Sequence, residues 1–311
     1  MVISSTRSWV VVGAVLVSGC STIEQASQAA NPPSFAFSSW RSGNSEIYLA
    51  TLGDSSVVNL TNDSSFDGFP AWSPDGDRIA FDSDRAGDNN RDVYVMDRDG
   101  SNVRRLTDHP SFDFLPAWSP DGSRIAFMSV RDSKWSAANP SAAPFAANIY
   151  LVNPDGTGLT RLTNTPNHDQ SPAWAPDGAT IAFSREIDGK AQLFLMDADG
   201  GNQRRLRTSD TYDSAPAFSP DGTRIAFYAV KGDTAHIVVM ALDGAAAEQV
   251  TQRYPENYGP HWSPDGMLIC YTARVGDQWD IIAVNLSTRE ESSLIANPAR
   301  DEGCTWRPRT E

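Results

Sequence analysis

The chain has 311 residues, 40% of them hydrophobic and 21% charged, which is ample apolar material for a packed core. At about 150 residues per domain the length alone suggests two domains, an expectation that an internal repeat overrides. With 39 acidic against 25 basic side chains and a formal net charge of −14, the balance excludes phosphate tracking along nucleic acid and charge-driven attachment to anionic membranes, because both need clustered Lys and Arg.

The first element is an address. Arg7 precedes the apolar run Trp9 to Val17, which ends in Val17-Ser18-Gly19-Cys20. A membrane span needs about 20 apolar residues, so residues 1–19 read as a secretory signal peptide. The last four residues resemble the cleavage box of bacterial lipoproteins: an aliphatic residue, two small residues, then a cysteine. That resemblance implies that Cys20 is lipidated and becomes the new N-terminus, where several acyl chains hold firmly what a single chain holds reversibly. Ser21 stands where an Asp would resemble an inner-membrane retention signal, which favours the outer membrane. Residues 20–33, rich in Ser, Gln, Ala, Asn and Pro, read as a flexible tether.

A repeat follows. Phe69-Pro-Ala-Trp-Ser-Pro-Asp-Gly76 recurs, with small changes, at Leu115–Gly122, Ser171–Gly178, Ala215–Gly222 and Gly259–Gly266, and Gly303-Cys-Thr-Trp-Arg-Pro308 is a degenerate sixth copy. The signature aromatics Trp72, Trp118, Trp174, Phe218, Trp262 and Trp306 are spaced by 46, 56, 44, 44 and 44 residues, a period that means a repeat architecture. Each phrase leads into an Ile-Ala-Phe strand such as Ile79 to Phe81, then a third strand such as Val93 to Met96, then an Arg-Leu-Thr ending such as Arg105 to Thr107. Ser-Pro-Asp-Gly suits a tight turn, and pairs such as Asp99-Gly100 and Asp155-Gly156 mark a later hairpin. Four short strands per unit make a propeller blade.

The ends decide the count. Second, third and fourth strands are expected at Phe35 to Ser38, Ile47 to Thr51 and Val57 to Thr61 with no first strand before them. Asp301 to Pro308 supplies a first strand with nothing after it. The expectation is one all-β domain over residues 34–308, a six-bladed β-propeller whose last blade joins the C-terminal first strand to three N-terminal strands, leaving no free sheet edge.

These units resemble the TolB-like six-bladed propellers, whose signature is Pro-x-Trp-Ser-Pro-Asp-Gly followed by Ile-Ala-Phe. The resemblance implies a bacterial envelope protein whose channel mouth takes a protein partner; in the family's Tol-Pal system that partner is the peptidoglycan-associated lipoprotein. TolB itself is a soluble periplasmic protein with an N-terminal α/β domain, in whose place a lipid anchor is expected here, which argues against membership of that particular complex.

Five residues before each signature aromatic stand Asp67, Asp113, Asp169, Asp213, Asn257 and Asp301. On innermost strands they gather at one channel mouth, where such a ring suits a cation, a cationic side chain of a partner, or caps between blades. Arg41, Arg85, Arg131, Arg185, Lys231 and Arg274 follow the second strands on the same face. They either pair with the carboxylates or form an amphoteric rim with them. The 56-residue interval carries an insertion over Asp132 to Ala147 whose Trp135 is a candidate contact residue. Asp82, Asp84, Asp88 and Asp92 faintly resemble a calcium loop, but Ala86 and Val93 break its oxygen spacing.

No nucleophile elbow or paired histidines support catalysis. His168 with the Asp ring is the weak basis of the alternative, a metal-assisted carbohydrate lyase or lactonase needing a divalent cation. The leading reading is a monomeric, non-enzymatic scaffold for an envelope protein or peptide. With Cys20 lipidated, Cys270 and Cys304 remain as an even pair in an oxidising compartment, and the sequence leaves their pairing open.

Overall fold

The computed structural model describes residues 32–87, 90–133, 146–243, 246–295 and 297–309. The signal peptide, Cys20, nearly all of the tether, Asp88 and Trp135 lie outside them. Among the described residues every regular element is a strand. The chain opens with β1 (Ser34–Ser39), β2 (Glu46–Thr51) and β3 (Val57–Asn59). Blade 1 is β4 (Asp67–Trp72), β5 (Arg78–Ser83), β6 (Asp92–Asp97) and β7 (Arg104–Arg105). Blade 2 is β8 (Asp113–Trp118), β9 (Ile125–Ser129), β10 (Asn148–Val152) and β11 (Thr160–Arg161). Blade 3 is β12 (Asp169–Trp174), β13 (Thr180–Ile187), β14 (Lys190–Asp197) and β15 (Arg204–Arg205). Blade 4 is β16 (Tyr212–Phe218), β17 (Arg224–Lys231), β18 (Thr234–Ala241) and β19 (Glu248–Gln249). Blade 5 is β20 (Asn257–Trp262), β21 (Leu268–Val275), β22 (Gln278–Asn285) and β23 (Glu291–Ser293). Blade 6 is ordered β24-β1-β2-β3, with β24 (Asp301–Trp306) paired antiparallel to β1, as the chain ends predicted.

Alternation within each strand places apolar side chains on both faces of every sheet, so the core is divided among the interfaces between blades. Trp118, for instance, packs on Ala80, Val93 and Val95 of the blade before it. In blades 1, 2, 4 and 5 the turn after the innermost strand is tied by its serine. Ser73 Oγ accepts from the Arg78 backbone N–H at 2.9 Å, and Gly76 N–H donates to the Ser73 carbonyl at 2.8 Å. Gly100, in the later hairpin, has φ of 86°, and a Cβ on it would stand 2.2 Å from the Leu60 carbonyl oxygen of the preceding blade. Glycine there serves packing between blades as well as the turn.

Cys270 on β21 and Cys304 on β24 form a disulfide, with Cα atoms 6.3 Å apart. It bridges blade 5 to the closing strand of blade 6.

Candidate functional site

Each innermost strand is broken at one place. The register between first and second strands slips between Gly68 and Ala71, Phe114 and Ala117, Gln170 and Ala173, Ser214 and Ala217, and Tyr258 and His261, and β24 slips similarly against β1. The residue in each bulge is left-handed: Phe69, Leu115, Ser171, Ala215, Gly259 and Gly303 have φ between 50° and 68°. In five blades the next residue is Pro, which has no N–H to orphan where the ladder opens. The freed N–H of Phe69 donates to Ser38 Oγ at 3.1 Å, and that of Gly303 to Thr272 Oγ1 at 3.0 Å. The bulges bend the strands around a central channel of about 870 Å³.

The ring of Asp67, Asp113, Asp169, Asp213, Asn257 and Asp301 assembles at one mouth of this channel, and all six side chains are fully buried. Each is already occupied by its own chain. Arg85 Nη2 donates to both oxygens of Asp67 at 2.8 and 2.9 Å, Arg131 to Asp113 at 2.6 Å, and Arg41 to Asp301 at 3.2 and 3.3 Å. In these three blades a Ser-x-Arg clamp aims the guanidinium. Ser83, Ser129 and Ser39 Oγ accept from the arginine Nε at 3.0, 2.8 and 2.8 Å.

The other three blades solve the same problem differently. Arg185 sits within β13, opposite Asp169, and binds it at 2.6 and 2.9 Å. Of the six basic residues expected either to pair with the carboxylates or to form a rim with them, Arg41, Arg85, Arg131 and Arg185 pair, whereas Lys231 and Arg274 do not join the ring: Lys231 lies 3.5 Å from Asp210 and Arg274 2.7 Å from Glu256. Their second strands run on past the ring instead of turning back over it. Asp213 takes Arg207, at 2.9 Å, from the loop on its other side, along with the Ser209 and Thr211 hydroxyls. Blade 5 removes the charge: Asn257 donates to the Ala235 and Tyr254 carbonyls, each at 2.8 Å.

Burial pushes the Asp67 carboxyl up to about 6 against the pull of Arg85, and raises Asp113 and Asp301 as well. The calcium-like loop is also occupied from within. Asp82 and Asp92 are buried against Arg91 and Arg105, and burial lifts both to about 7. Asp84 accepts the Phe66 N–H at 2.8 Å. His168 bonds Gln170 at 3.1 Å, and burial lowers its pKa. Among the described residues no three His, Cys, Asp or Glu side chains stand together to hold a metal.

What faces the channel is the bulge and its neighbours. Phe69, Phe114 and Leu115 line it on the side of blades 1 and 2; Gln170, Tyr228, Tyr258 and Trp279 line it opposite. His261 lines the channel with its side chain exposed to the lumen, and desolvation there lowers its pKa. The ring is nearly regular from blade to blade, whereas the residues that line the channel differ between the copies.

The family model of the TolB beta propeller domain matches residues 141–310, more than half of the chain. The chain belongs to this family. Protein TolB homolog of Chlorobium luteolum (strain DSM 273 / BCRC 81028 / 2530) is 31% identical over 160 residues, which is 50% of the present chain and 32% of that relative. The chain thus spans about a third of the length of the curated relative it matches. The crystal structure of TolB from Acinetobacter baumannii shares the fold with a TM-score of 0.75 at 18% identity, over 90% of this chain and 68% of that one. Putative TolB from Agrobacterium tumefaciens aligns with a TM-score of 0.65 at 19% identity, over 87% and 91%.

Proposed function

We propose that this TolB-family propeller is a lipid-anchored scaffold of the bacterial cell envelope, facing the periplasm, that holds a protein or peptide partner at the mouth ringed by the buried carboxylates. One observation carries the reading: a channel of about 870 Å³ with an apolar and aromatic wall opens at that mouth. Sites of this size with a few convergent polar groups are where ligands and partner loops insert. Asp67, Asp113, Asp169, Asp213, Asn257 and Asp301 support the mouth from beneath. Contact belongs to Phe69, Leu115, Tyr258 and Trp279, with Arg85 and Arg131, whose side chains are 17% and 10% exposed. Trp135 is proposed as a further anchor.

The anchor and the mouth are tested separately. Cys20→Ala should abolish labelling by radioactive palmitate and release the protein from the membrane fraction. Phe69→Arg or Tyr258→Arg should leave anchoring intact and strip the co-purifying partner. Retention of that partner by both mouth variants would refute the mouth as its site.

A further inference from the structure

Among the described residues the strands reach further at the mouth on one half of the ring. In blades 3, 4 and 5 the second and third strands are eight residues long, whereas those of blades 6, 1 and 2 have five or six. The long strands close in two-residue turns, Asp188-Gly189, Gly232-Asp233 and Gly276-Asp277. Asp188 and Gly189 are both left-handed, as in a type I′ turn, and Gly232 and Gly276 are left-handed at the first position, as in type II′. At about 3.3 Å per residue the extra length carries these strands roughly 7 Å further than those of blades 6, 1 and 2.

The wall on this half carries a row of neighbouring rings. Tyr212, Tyr228, Tyr258 and Trp279 run along it with successive centroids 6.4, 5.0 and 5.7 Å apart. The cations of the carboxylate ring lie over buried rings of the core instead: Arg41 4.8 Å from Tyr48, Arg85 5.3 Å from Tyr94 and Arg131 4.7 Å from Tyr150 in blades 6, 1 and 2, and Arg185 4.9 Å from Phe194 in blade 3. Among the described residues no arginine covers the four rings of the wall. Of the cations of the wall, Arg185 pairs with Asp169, Arg274 with Glu256 and Lys231 with Asp210, and the exposed Lys190 donates to the Asp210 backbone carbonyl at 3.0 Å. Among the described residues the exposed tip carboxylates Asp188, Asp233 and Asp277 have no ion-pair partner, and Asp280 Oδ1, beside Trp279, is buried with no hydrogen-bond partner.

We infer that the wall receives a cationic segment of the partner, with an arginine or lysine laid on the Tyr258 and Trp279 rings and flanking basic residues facing the tip carboxylates. The inference rests on the mouth being the binding face and names the chemistry of what binds there. Cation–π contact supplies the anchor, and the tip charges set on-rate and orientation.

The test is titration of the folded chain with a fluorescent peptide alternating arginine and serine, and with its glutamate counterpart, at low and physiological salt. The arginine peptide should bind and the glutamate peptide should not. Neutralising the tips with Asp188→Asn, Asp233→Asn and Asp277→Asn, all exposed and compatible with their turns, should weaken binding about tenfold and flatten its salt dependence. Trp279→Leu should weaken it with the salt dependence unchanged. Matched neutralisation of the opposite face, by Asp54→Asn, Asp99→Asn and Asp155→Asn, should leave affinity within about twofold, since net charge alone is not the determinant. Equal loss in this control, or equal binding of the glutamate peptide, would overturn the inference. A native partner still lost from Tyr258→Arg but retained by the tip variant would overturn the cationic segment while leaving the mouth as the binding face.

Discussion

At the scale of single residues, the dominant feature is a set of carboxylates buried with their own cations. Removing one partner of such a pair leaves a charge stranded in the interior, at a typical loss of about 3–5 kcal/mol. Arg207 is the informative case, because it stands where other blades carry the threonine of their Arg-Leu-Thr ending. Arg207→Thr therefore restores the repeat pattern, yet chemical denaturation should show a loss of that size; an unchanged midpoint would mean that Asp213 does not depend on it.

The same residues set the pH dependence. Burial holds Asp67 near 6 and Asp82 and Asp92 near 7, against 3.8 unfolded, so the folded chain keeps protons that the unfolded chain has released. Their contribution is full below about pH 4 and is lost as pH rises towards about 7. The turn carboxylates act oppositely. Asp121 and Asp221, held down to about 2 by the Ser119 and Ser219 hydroxyls and by neighbouring donors, lose their contribution as pH falls below about 4. The thermal midpoint is therefore expected to peak at about pH 4–6, and one that climbs steadily to pH 8 would contradict the assignment. The ring and four of its cations were legible from one repeat position each. Arg207 was not, since its role follows from the second strand of blade 4 continuing past Asp213, and only the ending Arg-Leu-Arg207 signals it.

At the scale of elements, the left-handed bulge is the device that makes the channel. A Cβ in that conformation costs roughly 1–2 kcal/mol, and Phe69 and Leu115 accept the strain at the positions where their side chains line the wall. Gly259 isolates the backbone term, because no atom lies within 4 Å of where its Cβ would be. Gly259→Ala should lower unfolding free energy by about 1 kcal/mol through conformation alone; a neutral result would mean that the bulge relaxes freely. Neither bulge nor wall followed from the repeat. The Ile-Ala-Phe phrase marks where a second strand begins and is silent on where it stops, whereas Asp188-Gly189, Gly232-Asp233 and Gly276-Asp277 were hairpin signals present in the sequence all along. Pro after the bulged residue gives no period-2 break sharp enough to read.

At the scale of the whole molecule, closure of the ring joins the two ends of the described chain. β24 is held by its ladder to β1 and by the disulfide to blade 5. Cys270→Ala with Cys304→Ala should cost about 2–4 kcal/mol without changing the fold, and an unaltered denaturation midpoint would show that the ladder suffices.

The ring also presents two unlike faces, the Pro-Asp-Gly turns of blades 1 to 5 on one and the bulge-lined mouth on the other, and the central claim is that the mouth face does the binding. A photo-crosslinking amino acid placed in living cells at Tyr258 on the mouth, and in parallel at the exposed Met267 on the opposite face, tests this most directly. The account expects a discrete crosslinked partner from Tyr258 that is absent from Met267; the same partner from Met267 alone would contradict it.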